Sequence, residues 1–411
     1  MLKNEKLVTA FAALIDQAWL SLLNFAVSLA FIRAAPKEEY GLYILLLTPV
    51  FLIQGVQNAL FLSPQATILP ASALEKKATV RATSSALQAG FGLISGVLGV
   101  VVLLIYQYVT LQTFDLMLAL AFGFGTVGAL AREGIRASQY VEGMATRALF
   151  GDLIYGFLLM ACIALFMAGD EVTARNVLAA MGLAGVLPLA RMALVKTGLK
   201  IDRGVWKEFW ACGRWALPAV LVTWLNFNSY SYVVAAVLGA ALVADISAAR
   251  LFLMPVGLTI TAWSNLARPK ISAMHARRDF SAIRRLSLNS IAAGLTALAG
   301  YMLIIVLAYP WLESLLGKNY SGLLPLTLAW AVFFFMNLPR CVLMATLMTT
   351  PSGYRELHHF SWLALMLLIP GLTIFSPHGA TWVIGVLCAV ELLQALLIGR
   401  SALAKWPRGL K

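Results

Sequence analysis

The sequence predicts an all-α integral membrane protein with about twelve transmembrane helices in two six-helix lobes. Hydrophobic residues occupy 61% of the 411 positions and charged residues 12%, where soluble domains carry roughly 25% charge. The mean hydropathy is +0.84. The apolar runs are continuous and about 20 residues long, enough to cross a bilayer core as helix, and they lack the short alternating segments of a barrel. Polar breaks separate them, and those on one side are rich in Lys and Arg.

Taken in order, the first half holds expected spans at 10–32, 40–62, 85–108, 113–131, 148–168 and 175–195. The second half holds them at 215–238, 243–265, 286–309, 322–344, 360–377 and 379–399. Lys3 and Lys6 precede the first run, but no small-residue cleavage pattern closes it, so it is expected to stay as the first helix. On this assignment 25 of the 31 Lys and Arg fall on one side of the membrane. Arg33, Lys37, Arg175 and Lys318 fall on the other, with Arg250 and Arg340 inside or at the edge of spans. The positive-inside rule then places both termini in the cytoplasm.

The net charge of +13 is thus read as topology, with membrane lipids as partners and no nucleic acid. The densest basic patch is Arg268, Lys270, Arg277 and Arg278, followed by Arg284 and Arg285. It is either a contact for an anionic lipid or an ordinary solvated inner loop.

The chain divides into an N-terminal lobe at 1–198, a linker at 199–213 and a C-terminal lobe at 214–411. Trp206, Phe209 and Trp210 among the linker's charges fit either an amphipathic stretch on the inner surface or an aromatic belt at the start of the seventh span. Leu23-Asn24-Phe25 in the first span and Leu225-Asn226-Phe227 in the seventh occupy equivalent places. That is a faint sign of a parallel repeat.

Several chemistries are absent. No GxxxxGK[ST] run occurs. Gly123 to Gly128 matches GxGxxG but lies inside an apolar helix without a preceding strand, so it reads as a packing surface, as do Gly92, Gly96 and Gly99. The four cysteines, Cys162, Cys212, Cys341 and Cys388, lack metal or redox spacing, and the histidines form no HExxH. Outer acidic residues such as Glu38, Glu39, Asp115 and Glu313 are scattered on short loops. No cofactor, metal site or enzyme activity is expected.

Polar groups within the spans carry the remaining signal. They include Asp16, Gln17 and Asn24 in the first span, Gln54, Gln57 and Asn58 in the second, Asn226 and Asn228 in the seventh, Arg250 and Asn265 in the eighth, and Glu391 and Gln394 in the twelfth. Amides also serve as interhelical glue, and Asp16 lies close enough to its helix start to reach water. Arg250 stands apart. A guanidinium at bilayer depth costs at least about 2.5–3.5 kcal/mol, so its persistence argues for a water-filled cavity or a charged ligand.

Ser247-Ala248-Ala249-Arg250-Leu251, then Pro255, Gly257 and Ala267-Arg268-Pro269-Lys270, resemble the eighth helix of the multidrug/oligosaccharidyl-lipid/polysaccharide (MOP) exporter superfamily, particularly its polysaccharide flippases. Glu38-Glu39-Tyr40-Gly41-Leu42-Tyr43 and Leu316-Gly317-Lys318-Asn319-Tyr320 are similar to that family too. The resemblance implies a V of two six-helix lobes, alternating access and a cationic cavity for the pyrophosphate of an undecaprenyl-linked oligosaccharide. Arg250 matches the cavity arginine of related lipid II flippases. Their Arg-Asp pair in the first helix is not matched by Phe25 to Ala30.

The expected function is therefore outward flipping of a lipid-linked oligosaccharide for capsule, O-antigen or exopolysaccharide synthesis. Arg250, Asn24, Asn226 and Asn228 would contact substrate, Arg268, Lys270, Arg277 and Arg278 would gather it, and polysaccharide polymerase or export proteins would be further partners. The rival of the same fold is an ion-coupled multidrug or cation antiporter, for which Asp16 and Glu391 are the candidate coupling carboxylates. A membrane polymerase or ligase is the rival from another class.

Overall fold

The computed structural model describes residues 2–193, 201–349 and 351–405, and every regular element among them is helical. Residue contacts group the chain into two compact units, Met1–Leu221 and Val222–Lys411.

In the first unit, α1 (Leu2–Ala34) is followed by α2 (Lys37–Gln57), which runs through a π-helical turn, Asn58–Leu62, into α3 (Ser63–Ala71). The wider turn lies just ahead of Pro64, whose ring and missing N–H would otherwise collide with an α-helical ladder. The Ser63 N–H reaches back to the Asn58 carbonyl across it. Next come α4 (Leu74–Tyr106), α5 (Leu116–Val141), α6 (Ala145–Ala168), α7 (Ala174–Ala193) and α8 (Arg203–Gly213). Asp115 and Asp202 begin α5 and α8 by accepting the N–H groups of Leu118 and Val205 at 2.9 Å, satisfying donors that a helix start leaves free.

α8 lies within the predicted linker, and its hydrophobic face packs on the first unit. Val205 and Phe209 are buried against Leu60, Phe61, Leu69 and Val80. Lys76 meets Glu208 at 2.7 Å, and the Asp202 N–H donates to the Thr83 hydroxyl. Trp210 remains exposed.

Most of α9 (Leu217–Leu238) belongs to the second unit, which continues with α10 (Ala240–Leu251), α11 (Met254–Ala276), α12 (Phe280–Leu316), α13 (Leu324–Leu347), α14 (Pro351–Phe375) and α15 (Ala380–Lys405). Gly239, at φ +89°, makes the sharp passage from α9 to α10 that a residue with a Cβ would resist.

Ten helices among the described residues are long and apolar enough to cross a membrane, or eleven if the bent pair α10 and α11 is one span. The chain is a multi-pass membrane protein. Each predicted span meets a helix, with two departures. The span expected at 243–265 is broken: α10 and α11 meet at 60°. Pro255, second residue of α11, cannot donate into the preceding turn, so the helix stops and restarts. The Tyr301 hydroxyl donates to the Phe252 carbonyl at the break, at 2.7 Å. The sixth span corresponds to α7, apolar over Ala174–Leu187, and residues 194–200, where that span ends and the linker begins, lie outside the described residues.

Several helices also extend beyond their apolar spans. α4 starts at Leu74 and takes in Glu75, Lys76, Lys77 and Arg81, while α12 has 37 residues. At 1.5 Å per residue, α12 is about 55 Å long, well beyond a hydrocarbon core of about 30 Å. The outward face of α4 shows Leu93, Ile94, Val97, Leu98, Val101 and Val102 exposed, a surface suited to lipid.

Glycines let α5 sit close to α4 and α7. A Cβ on Gly123 would fall 2.7 Å from the Gly96 carbonyl oxygen, and one on Gly128 would fall 2.6 Å from that of Gly182. The GxGxxG match is thus a contact face between helices. Gly128→Leu should push α5 from α7 and destabilise the unit by at least about 3 kcal/mol, beyond the usual overpacking cost. Gly151→Ala, where the added methyl meets nothing within 4 Å, should leave stability unchanged or raise it by up to about 1 kcal/mol. Thermal unfolding in detergent compares the two.

Candidate functional site

The second unit encloses a cavity of about 320 Å³. Helical periodicity explains its walls. From α9, Thr223, Asn226, Phe227 and Tyr230 face it, and from α15, Leu387, Val390, Glu391 and Gln394 do, each set spaced i, i+3, i+4, i+7. α13 adds Trp330, Phe333 and Arg340, and α10 adds Arg250 from its last turn.

Two arginines line this space in different electrostatic states. The Arg250 guanidinium stands 5.1 Å from the centre of the Trp330 ring, a cation–π geometry, and among the described residues no carboxylate pairs with it. Trp330 is itself fixed: it is 1% exposed and its indole N–H donates to the Ile246 carbonyl at 3.0 Å. Arg340, in contrast, donates its Nε–H to Glu391 Oε1, and Asn337 donates to the same oxygen at 2.6 Å. Both members of the Arg340–Glu391 pair are buried.

The first unit holds its own buried charges. Asp16, fully buried on α1, receives the Tyr140 hydroxyl at 2.6 Å and the Arg136 guanidinium at 3.0 Å. Arg136 also lies 3.0 Å from Asp152 of α6, and Arg132 lies 3.5 Å from it. Arg132 covers the Tyr155 ring at 4.4 Å, and the Trp19 indole N–H donates to the Asp152 carbonyl at 2.9 Å. The network ties α1, α5 and α6 together.

Of the residues expected to contact substrate, Arg250 and Asn226 share the cavity, and Glu391 joins them there. Asn226 donates to the carbonyls of Val222 and Ser361, leaving its buried Oδ1 without a partner. Asn228 donates to Trp224 on its own helix and is not among the cavity's lining residues. Asn24 is exposed in the first unit. Asp16, which could have faced water, is enclosed in the ion-pair network. In the basic patch, Lys270, Arg277 and Arg278 are exposed, whereas Arg268 is half-buried with its Nε unpartnered. The side chain of Asn265 lies outside the described residues.

Solved structures share this architecture. An inward-facing multidrug resistance MATE family transporter of the MOP superfamily matches with a TM-score of 0.76 at 14% identity, over 94% of each chain. An outward-facing transporter of that description matches at 0.64 and 14% identity, over 98% of this chain and 95% of that one. The fold is that of MATE transporters. A MOP superfamily transporter from Pyrococcus furiosus, described as having a binding pocket of reversed polarity that suggests a different function, matches at 0.67 and 15% identity, over 98% and 95% of the chains. No family model and no curated protein matches the sequence.

Within this fold, sequence reasoning misplaced Arg132 and Arg136 and left Arg340 without a role. The first two fall in the break between the expected spans 113–131 and 148–168, but α5 continues to Val141 and carries both against Asp16 and Asp152. The i, i+3/i+4 spacing of Arg132, Glu133, Arg136 and Tyr140 was the available sign that the helix continues. For Arg340 the sign was one cation and one carboxylate, Glu391, in separate late spans.

Arg136→Met would leave Asp16 buried beside Tyr140 and Asp152 without the cation that faces it. Stability should fall by about 3–5 kcal/mol, the cost of orphaning a buried charge, and adding Asp16→Leu should recover part of it. Thermal unfolding of the single and double variants in detergent measures the difference.

Proposed function

We propose that this protein is an alternating-access transporter that flips an undecaprenyl-pyrophosphate-linked oligosaccharide outward across a bacterial inner membrane, for surface polysaccharide synthesis. The observation that carries the reading is the charge state of the cavity. Arg250 and Arg340 face one carboxylate, Glu391, so the lining has one positive charge in excess. An anion completes that balance, and guanidinium groups match phosphate oxygens in geometry as well as charge. The aromatic walls, Trp330, Phe333 and Phe227, offer faces to sugar rings or prenyl chain.

The fold leaves both signs of ligand open. Multidrug resistance transporters share it, as does a protein whose pocket polarity is described as reversed. A cation antiporter would need a buried carboxylate free to release a proton or ion, and both sequence candidates are held by arginine: Asp16 by Arg136 and Glu391 by Arg340. Those pairs favour the anionic substrate. Cytoplasmic termini would place exposed Lys270, Arg277 and Arg278 beside the leaflet where such a lipid is made. Outward movement of two negative charges gains about 4.6 kcal/mol across 100 mV, negative inside, if they cross the whole field. Polymerase or export proteins would take the flipped product.

Arg250→Ala should abolish polymer export while leaving expression intact, and Arg250→Lys should restore part of it. Surface polysaccharide at wild-type level in a well-expressed Ala variant would refute the role. In a deletion strain the lipid-linked oligosaccharide should accumulate on the cytoplasmic leaflet. Accumulation on the outer leaflet would indicate polymerisation or ligation instead.

A further inference from the structure

We infer that Arg340 is a second anion-binding group of the cavity, and that Glu391 and Asn337 are positioning residues that hold its guanidinium ready for a phosphate. The inference rests on the reading of the cavity as a site for a lipid pyrophosphate and deepens it: two guanidinium groups, one from α10 and one from α13, would serve the two phosphates.

The argument starts from the donors of Arg340. A guanidinium has five N–H groups and no acceptor. Glu391 takes the one on Nε. Among the described residues the Nη1 and Nη2 groups meet sulfur alone, Met344 Sδ and Cys341 Sγ, each at 3.8 Å. Thioether and thiol sulfurs are weak acceptors, so the forked edge of a side chain that is 6% exposed has no oxygen partner. Arg340, Cys341, Met344 and Glu391 all line the cavity, so the edge that lacks an acceptor lies beside the space a ligand would fill. Buried N–H groups ordinarily find better partners than this.

The surroundings fix the direction of that edge. Asn337 and Arg340 converge on one oxygen of Glu391, and the Arg340 guanidinium carbon lies 5.8 Å from the centre of the Phe227 ring. With Nε tethered and a ring beside the plane, the guanidinium has little freedom to rotate. A carboxylate that binds Nε and leaves both Nη groups open orients an arginine for a bidentate phosphate contact.

The rival explanation is that Arg340 exists to neutralise Glu391. The double variant Arg340→Gln/Glu391→Gln separates the two, because it removes both charges and orphans neither. The purified full-length protein in nanodiscs would be titrated calorimetrically with geranylgeranyl diphosphate, with geranylgeraniol and with tetraphenylphosphonium, and its thermal unfolding recorded. The wild type should bind the diphosphate in preference to the alcohol. The double variant should unfold near the wild-type temperature yet bind the diphosphate roughly 10- to 100-fold more weakly, the loss expected for charged hydrogen bonds. Glu391→Gln alone should unfold at lower temperature but bind the diphosphate at least as tightly, a divergence that a purely structural pair would not produce.

Wild-type diphosphate affinity in the double variant would overturn the role of Arg340 while leaving the transport reading in place. A wild-type protein that binds tetraphenylphosphonium and ignores the diphosphate would overturn both.

Discussion

The cost of holding an ionised side chain away from water organises this molecule. Charges inside apolar helices persist where another group answers them, and the fold supplies that group in each unit. In the first, Asp16 and Asp152 on α1 and α6 converge on Arg132 and Arg136 of α5. In the second, Glu391 of α15 meets Arg340 of α13. Such pairs add little net stability compared with apolar packing, but breaking one is expensive. They therefore act as register pins, permitting one rotational setting of each helix about its axis.

That setting determines which residues reach the cavity. With Glu391 turned toward α13, the α15 positions at i−4, i−1 and i+3, namely Leu387, Val390 and Gln394, turn inward with it. α13 is likewise fixed by Trp330 donating to Ile246 on α10, which brings the Trp330 ring beneath Arg250. The aromatic face stabilises that cation without neutralising it. The charge of Arg250 stays unbalanced because its support is a ring, where Arg340 has a carboxylate.

The sequence disclosed the parts of the fold that depend on composition within a single window. All twelve apolar segments have a counterpart among the helices, since about 20 consecutive apolar residues can satisfy their backbone in lipid only as helix. The glycines at 96, 123 and 128 could be read as contact points for a similar reason: a glycine inside a span costs helix propensity unless close approach repays it. Helix ends were harder. α4, α5 and α12 carry charged residues in regular helix beyond their apolar stretch, and nothing in hydropathy distinguishes a charged helical turn from a loop. The break between α10 and α11 was signalled by Pro255, but a proline within a span can kink or interrupt it, and neighbouring groups such as Tyr301 decide the outcome.

Charge pairing was the least legible part because its partners are remote in sequence. Asp16 and Arg136 are 120 residues apart, and Arg340 and Glu391 are 51 apart, so a residue read in isolation offers no sign of whether its charge is available. This bears on what a shared fold can say about a ligand. Two transporters with the same helices can bind opposite charges if a substitution transfers an internal partner from one ionised group to another. The net sign of a cavity is set by which charge is left over after the internal pairs are made. Here the pairing consumes Glu391 and leaves Arg250, so the surplus is positive. That conclusion follows from the arrangement of four side chains, Arg250, Trp330, Arg340 and Glu391, and would reverse if Glu391 were free and Arg250 were the partnered group.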